Sequence, residues 1–325
     1  MSSNNPASLS VNPTVALVTV MFNSDQCVRK LLHSISISHT TFDEIIVVDN
    51  GVSPTDFSDL PKDIRIVRSG PPENVSRARN RGWKEAHSQI VFFCDDDNTI
   101  EAGMLEALLV HFASAEIAAV SPIALVRDTD DIWCAGVTRN SWTGQTRYIS
   151  DISMLPVSRY WETDDLPNAF CIRRSVLERL GGFDDYAFPI TREEADLACR
   201  TKDLGFRTIV AADAYIRHHI RHNDRSVQTL AGEIARMVER GGFPRLRLHC
   251  RNRVLFHRRH STGIRKLFIL TVAIPAWALL LTIVLLRINQ SFKWKLKVSR
   301  TIAGGLTSGY FFHFPAPRYT GSFAL

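Results

Sequence analysis

Short apolar runs and amphipathic stretches alternate through the N-terminal part of the chain. Val15–Met21 carries no charge, Glu44–Val48 is rich in Ile and Val, Ile64–Val67 is shorter, and Ile90–Cys94 is again uncharged. Runs of this length without a polar face predict strands buried on both sides of a sheet. Between the first two, Cys27, Leu31, Leu32 and Ile35 fall on one face of a helix. Asn74 is placed to cap a second helix reaching about Ala86, and a third is expected around Met104–Phe112. This alternation predicts an α/β chain with a mainly parallel, doubly wound central sheet, whose ligand lies at the C-terminal ends of the strands.

From Ala118 to about Tyr160 the pattern loosens, with polar insertions at Asp128–Asp131 and Asn140–Thr146 and only short strands expected. Asn168–Ile172 reads as a strand and Ser175–Leu180 as a short helix ended by Gly181-Gly182. A helix then starts at Thr191 with Glu193, Glu194 and Asp196 in its first turns, where the helix dipole favours acids. Two strand pieces, Arg207–Ala212 and Ala214–Arg217, end in His218-His219. Leu267–Leu286 is uncharged throughout and, at about 1.5 Å per residue, long enough to cross a hydrocarbon core. Lys and Arg flank it on both sides, and Pro275 predicts a kink, so the run reads as a transmembrane or re-entrant helix.

Composition narrows the class. With 325 residues, 45% hydrophobic and 22% charged, the chain is globular, of about two domains. The net charge of +6 is uneven: Arg217–Lys266 holds thirteen Lys and Arg against three acids, and the remainder is net negative. Such a window suits nucleic acid or an anionic membrane surface. It lacks the aromatic-interleaved strand pattern of a nucleic-acid binder and abuts the apolar run, so membrane lipid is the expected partner and nucleic acid is not. Met1–Pro13 is polar and does not read as a signal peptide. Six scattered cysteines without a Cys-x-x-Cys pair suit a reducing compartment. Together these place the chain at the cell membrane with its N-terminal domain cytoplasmic.

The chemistry gathers where Ile90–Cys94 breaks into Asp95-Asp96-Asp97-Asn98. Adjacent carboxylates at a strand end, with no basic neighbour in sequence, repel one another unless a cation joins them. A hard divalent ion that also carries phosphate oxygens meets that need; an acidic turn capping the next helix is the plainer alternative.

In order and spacing the chain resembles a family-2 glycosyltransferase of the GT-A fold from about Val15 to His219. The likeness rests on Met21-Phe22-Asn23, Val48-Asp49-Asn50-Gly51, Ala78-Arg79-Asn80-x-Gly82, Phe93-Cys94-Asp95-Asp96-Asp97, Gly181-Gly182-Phe183-Asp184 and Glu193-Glu194-x-Asp196-Leu197. Arg251-Asn252-Arg253, ahead of the apolar run, looks like the tail of rhamnosyltransferase-like members. The resemblance implies a GT-A domain over residues 13–225, with a nucleotide-sugar half at about 13–122 and an acceptor half at about 123–225. It would follow a polar leader at 1–12. A basic membrane-proximal segment (226–266), the apolar helix (267–286) and a basic, amphipathic tail (287–325) would follow.

It also implies roles. Asp49 would hydrogen-bond the nucleobase, and Phe22, Asn23, Arg79 and Asn80 would line the donor pocket. Asp95 and Asp97 would straddle the metal position, Asp96 would lie against the donor, and Mg2+ or Mn2+ would neutralise the leaving diphosphate. Glu194 stands where the family places its catalytic base, with Glu193 as the fallback and Asp196 supporting the helix start. His219, or next to it His218, would reach the metal or the diphosphate. The implied activity is inverting transfer of a sugar from a nucleotide-diphosphate-sugar donor to a membrane-proximal acceptor, a saccharide or a polyprenyl-linked one. A nucleotidyltransferase would want a Gly-rich basic loop where Phe22-Asn23-Ser24-Asp25 stands, and a non-catalytic binding relative would have no use for Glu193-Glu194.

Overall fold

The computed structural model describes residues 13–219, 230–287 and 290–314. The expected leader at 1–12, the boundary at 225 and the end of the tail lie outside the described residues.

Strand β1 (Val15–Met21) leads into helix α1 (Asp25–Ile37), then β2 (Glu44–Asp49), β3 (Ile64–Arg68), α2 (Val75–Glu85) and β4 (Ile90–Cys94). As the uncharged run predicts, all five residues of β4 are buried. Odd and even residues of these strands feed different layers. Val15 and Leu17 of β1 with Ile90 and Phe92 of β4 pack on Leu31 and Ile35 of α1; Ala16 and Val18 with Val91 and Phe93 pack on Ala78 and Trp83 of α2. The sheet is covered on both faces, as a doubly wound fold requires.

Past β4 come β5 (Asn98–Ile100), α3 (Met104–Leu109), β6 (Ile117–Val126), β7 (Ile132–Cys134), β8 (Val137–Arg139), β9 (Thr146–Tyr148) and β10 (Tyr160–Glu162). Then follow β11 (Ala169–Arg173), α4 (Arg174–Leu180), α5 (Glu193–Asp203) and β12 (Arg207–His218). The main sheet runs β10-β12-β6-β11-β4-β1-β2-β3. The β1–β2, β2–β3, β1–β4 and β6–β12 pairs are parallel, while β11 lies antiparallel between β4 and β6. The α/β expectation therefore holds with a mixed centre. Two local readings change. The loose stretch after Ala118 contains a ten-residue strand, β6, buried throughout; its Ala118, Ala119, Ser121 and Ala124 are too small to give a strong hydrophobic signal. The break expected near Asp213 is a register shift inside the continuous strand β12, between Val210 and Tyr215.

The C-terminal part is helical: α6 (Leu230–His260), kinked at Gly242, α7 (Gly263–Phe268), a π-helical turn at Ile269–Ala273, α8 (Ile274–Arg287) and α9 (Phe292–Tyr310). Pro275 has no N–H for the carbonyl four residues back, and the widened turn just ahead of it takes up that mismatch. Leu246 and Cys250 of α6 pack with Leu281 of α8 and with Val298 and Ile302 of α9. Gly263–Val284 is apolar enough to cross a membrane, at mean hydropathy 2.5, and 17% of it is buried. Leu267, Leu279, Leu280 and Ile283 face outward. All six cysteines are free.

Candidate functional site

Four of the sequence-identified residues meet around one guanidinium. Arg79 projects from α2, which lies close on the sheet because Gly82 has no Cβ to strike Val18 and Val48. Its Nη2 lies 2.7 Å from Asp95 Oδ1 and 2.9 Å from Glu194 Oε1, and its Nη1 3.2 Å from Glu193 Oε1. Burial works against the charge, but the three carboxylates outweigh it and hold Arg79 firmly cationic. Arg79 was expected to line the nucleoside pocket; instead it joins the β4 end to the start of α5. Asn80 corrects the sequence reading further. Its Oδ1 accepts from Phe183 N (2.8 Å) and Trp83 Nε1 (3.0 Å), and its Nδ2 donates to Phe183 O (2.8 Å). With its carbonyl oxygen and one amide hydrogen bonded inside the protein, Asn80 braces the Gly182-Phe183 turn. Gly182 sits at φ +78°, and a Cβ there would overlap Asn80 and Trp83.

The three aspartates part company. Asp95 turns to Arg79. Asp96 accepts a hydrogen bond from Ser24 Oγ at the end of β1; burial, with Asp97 and Asp95 nearby, pushes its carboxyl up to about 7 against that bond. Asp97 faces His218: Oδ1 and Nδ1 are 3.3 Å apart. Neither atom has a hydrogen bond among the described residues, although both are buried. Burial would raise Asp97, but the approach of His218 more than offsets it, so the carboxylate is held ionised. His219, the preferred histidine of the sequence reading, meets Asp97 only through its backbone, N to O at 2.8 Å, and burial with Arg127 lowers its ring pKa. The facing side chain is that of His218, whose ring lies 4.6 Å from that of Trp133, centroid to centroid.

A carboxylate oxygen and an imidazole nitrogen that face each other at 3.3 Å, with no other side-chain partner among the described residues, could hold a divalent cation between them. Among the described residues no three His, Cys, Asp or Glu side chains converge on one point. Asp97 and His218 could therefore serve only as part of a ligand set, of the kind that a metal arriving with diphosphate oxygens would complete.

Asp49, Asn23 and Phe22 lie apart from this group, at the ends of β1 and β2. The Asp49 carboxylate accepts from Gly51 N and Thr55 N, both at 3.0 Å, and pairs with Arg68 at 2.9 Å. Asn23, at φ 54°, accepts from Val52 N, and Phe22 is exposed. Phe22 thus stays exposed where β1 ends, while Asp49 is buried with its carboxylate turned to these partners.

The start of α5 is strained and clamped. Thr191 and Arg192 both adopt φ 65°, unfavourable for side chains of their kind. Asn252 of α6 donates to Ile190 O (2.7 Å), Thr191 O (3.0 Å) and Thr191 Oγ1 (3.2 Å), and Arg251 donates to Ala187 O. Arg259 bridges Asp184 (2.7 Å) and Asp196 (2.9 Å), while Asp196 also takes His260 (2.8 Å) and Arg200 (2.7 Å). Burial would raise Asp196, yet Arg200 and these partners hold it far below the carboxylate range. Much of the basic window is therefore turned inward. Arg251, Arg259 and His260 set the loop that presents Glu193 and Glu194, and Asp196 anchors the helix as expected. Burial pushes Glu194 well above the ordinary carboxyl range and raises Glu193, with Arg79 opposing in each case. A carboxylate with that bias is a stronger proton acceptor.

Ser24, Asp184 and Asn252 are the residues the sequence reading missed here. Asn252 stood out only as part of Arg251-Asn252-Arg253, with nothing local to indicate its partners.

Comparisons with known proteins bear on the family and the fold. A model described as glycosyl transferase family 2 matches residues 16–181. The pre-mycofactocin glycosyltransferase of Mycobacterium tuberculosis is 29% identical over 185 residues, 54% of this chain and 37% of that protein. The probable glycosyltransferase YdaM of Bacillus subtilis is 26% identical over 214 residues, 60% of this chain and 48% of YdaM. The O-antigen biosynthesis protein RfbC of Myxococcus xanthus is 24% identical over 226 residues, 64% of this chain and 17% of RfbC. The chain spans less than half the length of each of these relatives. A crystal structure of GalNAc-T7 with UDP, GalNAc and Mn2+ shares the fold, with TM-score 0.54 at 14% identity over 64% of this chain and 43% of that one.

Proposed function

The chain belongs to glycosyl transferase family 2, and on that premise we propose that it is an inverting, metal-dependent transferase. It moves a sugar from a nucleotide-diphosphate donor to an acceptor held near a membrane. The observation that carries this reading is the Arg79 bridge, which sets Glu194 one guanidinium away from the acidic end of β4.

The nucleoside lies at the ends of β1 and β2, against Phe22 and Asn23 and beside the buried Asp49, and the diphosphate is directed to Asp97 and His218. Asp97 and His218, with Asp96 close by, would hold Mg2+ or Mn2+, which would supply charge neutralisation for the leaving diphosphate; the fold neighbour GalNAc-T7 was crystallised with Mn2+. Across the site Glu194 accepts the proton of the acceptor hydroxyl, so that the oxygen attacks the anomeric carbon from the side opposite the diphosphate. Arg79 keeps that carboxylate in place and favours its ionised form, and Glu193 shares the same guanidinium. The Gly263–Val284 helix anchors the chain in the cell membrane, with the catalytic domain cytoplasmic. Its outward leucines support the anchoring, as do the hydroxyls of Thr271 and Thr282, each returned to the carbonyl four residues back.

The test is a panel of nucleotide sugars, scored for nucleoside diphosphate release with and without Mn2+ by the native chain and by Asp97→Ala. Release that needs the metal and is lost in the variant is expected. Metal-independent release, undiminished in Asp97→Ala, contradicts the assignment.

A further inference from the structure

The apolar run Gly263–Val284 turns back along α6. Ile269 and Ile274 pack on Val254, Trp277 meets His249 (6.4 Å between ring centres) and the Arg253 guanidinium (4.5 Å), and Leu281 packs on Leu246. Helix α9 then runs forward along α6, from Lys297 over the Phe243 ring (4.2 Å) to Arg258, which donates to Gly309 O (2.7 Å) and Phe312 O (2.9 Å). Gly305 and Gly309 permit this approach: a Cβ on the first would strike Arg247 O, and on the second Arg251 O. Phe312 comes to rest on Tyr186 of the transferase domain, 5.4 Å between ring centres.

These contacts limit how far the run can reach. Arg251, Asn252 and Arg259 fasten α6 to the transferase domain, and at Trp277 α8 still lies beside that fastened stretch. Only Ala278–Arg287 extends past it, about 15 Å at about 1.5 Å per residue, half of the roughly 30 Å of a hydrocarbon core. The neighbours at this end are cationic. Arg247, Lys293, Lys297 and Arg300 line a cleft between α6 and α9, all four are exposed, and no acid lines that cleft among the described residues. A helix that crossed with α6 and α9 beside it would carry these charges into hydrocarbon, where each is strongly disfavoured. The outer face is of the opposite kind. Ile264, Leu267, Val272, Leu279, Leu280 and Ile283 are exposed, with Arg265 and Lys266 near one end and Arg287 at the other. In the turn after β8, Trp142 packs 6.1 Å from Phe268, centroid to centroid, with the Arg265 guanidinium 5.5 Å from its ring centre, the aromatic and cationic pairing suited to headgroup level.

We propose that Gly263–Val284 lies in one leaflet of an anionic bilayer and does not cross it. The exposed apolar face enters the acyl boundary, Arg265, Lys266 and Arg287 meet the headgroup phosphates, and α9 stays on the same side as the transferase domain. A helix lying in the plane of a leaflet needs its inner face covered, and α6 and α9 cover Ile269, Ile274 and Leu281. The inference rests on the membrane anchoring proposed above, gives that anchoring its form, and removes the transmembrane alternative left open by the sequence.

The test uses sealed inside-out membrane vesicles carrying the full chain, treated with a membrane-impermeant amine reagent before and after detergent opens them, with the labelled lysines read by mass spectrometry. Lys62 and Lys84, exposed on the transferase domain, report that domain's side. Lys293 and Lys297 should label together with them in the sealed vesicles. One pair labelled at once and the other only after opening means a crossing helix, which overturns the inference while the anchoring stands. Both pairs protected until opening keep the inference and reverse the orientation of the domain. A chain recovered in the soluble fraction sinks the anchoring itself, and the inference with it. In a second arm the purified chain is partitioned onto preformed vesicles with and without phosphatidylglycerol, with nucleoside diphosphate binding in Mn2+ as the control for folding. Arg265→Gln with Lys266→Gln should weaken binding to the anionic vesicles by about 10-fold or more and leave binding to the neutral ones near native. Unchanged binding to the anionic vesicles overturns the headgroup contact.

Discussion

On the donor side, Asp95, Asp96 and Asp97 leave the end of a single five-residue strand, and the partners that steer them, Ser24 and His218, stand at the ends of β1 and β12 in the same sheet. On the acceptor side, Glu193 and Glu194 depend on a helix distant in sequence: Asn252 fastens Ile190 from 62 positions away. The first half is built by the sheet's own geometry, the second by a clamp. Parallel strand ends converge wherever such a sheet forms, whereas two consecutive left-handed residues persist only because surrounding contacts overdetermine them. Arg79 is the link between the two.

Severing that link should have the largest effect. Arg79→Met leaves Asp95, Glu193 and Glu194 without their shared cation, so stability should fall by about 3–5 kcal/mol in urea titrations, with transfer lost as well. Unchanged stability would mean that the two halves hold themselves. Loosening the clamp should be one-sided. In Asn252→Ala, the carbonyls of Ile190 and Thr191 lose their donor; a cost of about 1–3 kcal/mol and a fall in kcat are expected, while KM for the donor stays near its native value. An equal loss of donor affinity would contradict the separation.

The pH profile sharpens the comparison. Glu194 must be ionised to accept a proton, and its folded pKa lies above the usual 4.5, so kcat/KM should rise with pH through a midpoint above the ordinary carboxyl range. The same shift means that stability from the protonated group is fully present below the unfolded pKa and is lost as pH rises through the folded one. Burial outweighs the opposing Arg79, so an activity midpoint at an ordinary carboxyl value would argue against Glu194 as the base. The smallest effect belongs to the donor-side scaffold. Asn74 caps α2 through Arg77 N at 2.9 Å, and Asn74→Ala should cost about 1 kcal/mol in thermal unfolding with little change in kcat.

The same contrast explains what could be read from the sequence. The β1-α1-β2 opening, β4 and the acid-bearing turn were legible because uncharged runs and turn residues are local signals, and the family motifs mark the same positions. Glu194 was singled out by position, yet its strained approach was not readable, since left-handed angles at Thr191 and Arg192 leave no trace in composition. The basic window was read as membrane-facing because its charge is countable in sequence while its partners are not: Asp184 and Asp196 lie far upstream. Asn80 was misread for the opposite reason, as its motif neighbour Arg79 enters the site and Asn80, one residue on, turns to Phe183. His218 ends β12 and His219 follows it, and only the register of β12 puts the His218 ring against Asp97.

The central claim is that donor binding and proton removal belong to separate halves of one transferase site. Glu194→Gln tests it most directly, with nucleotide-sugar affinity by calorimetry and nucleoside diphosphate release measured on the same samples in Mn2+. The account predicts native affinity with release slowed by about 10²-fold or more. Release at the native rate, or loss of donor binding in the variant, would contradict it.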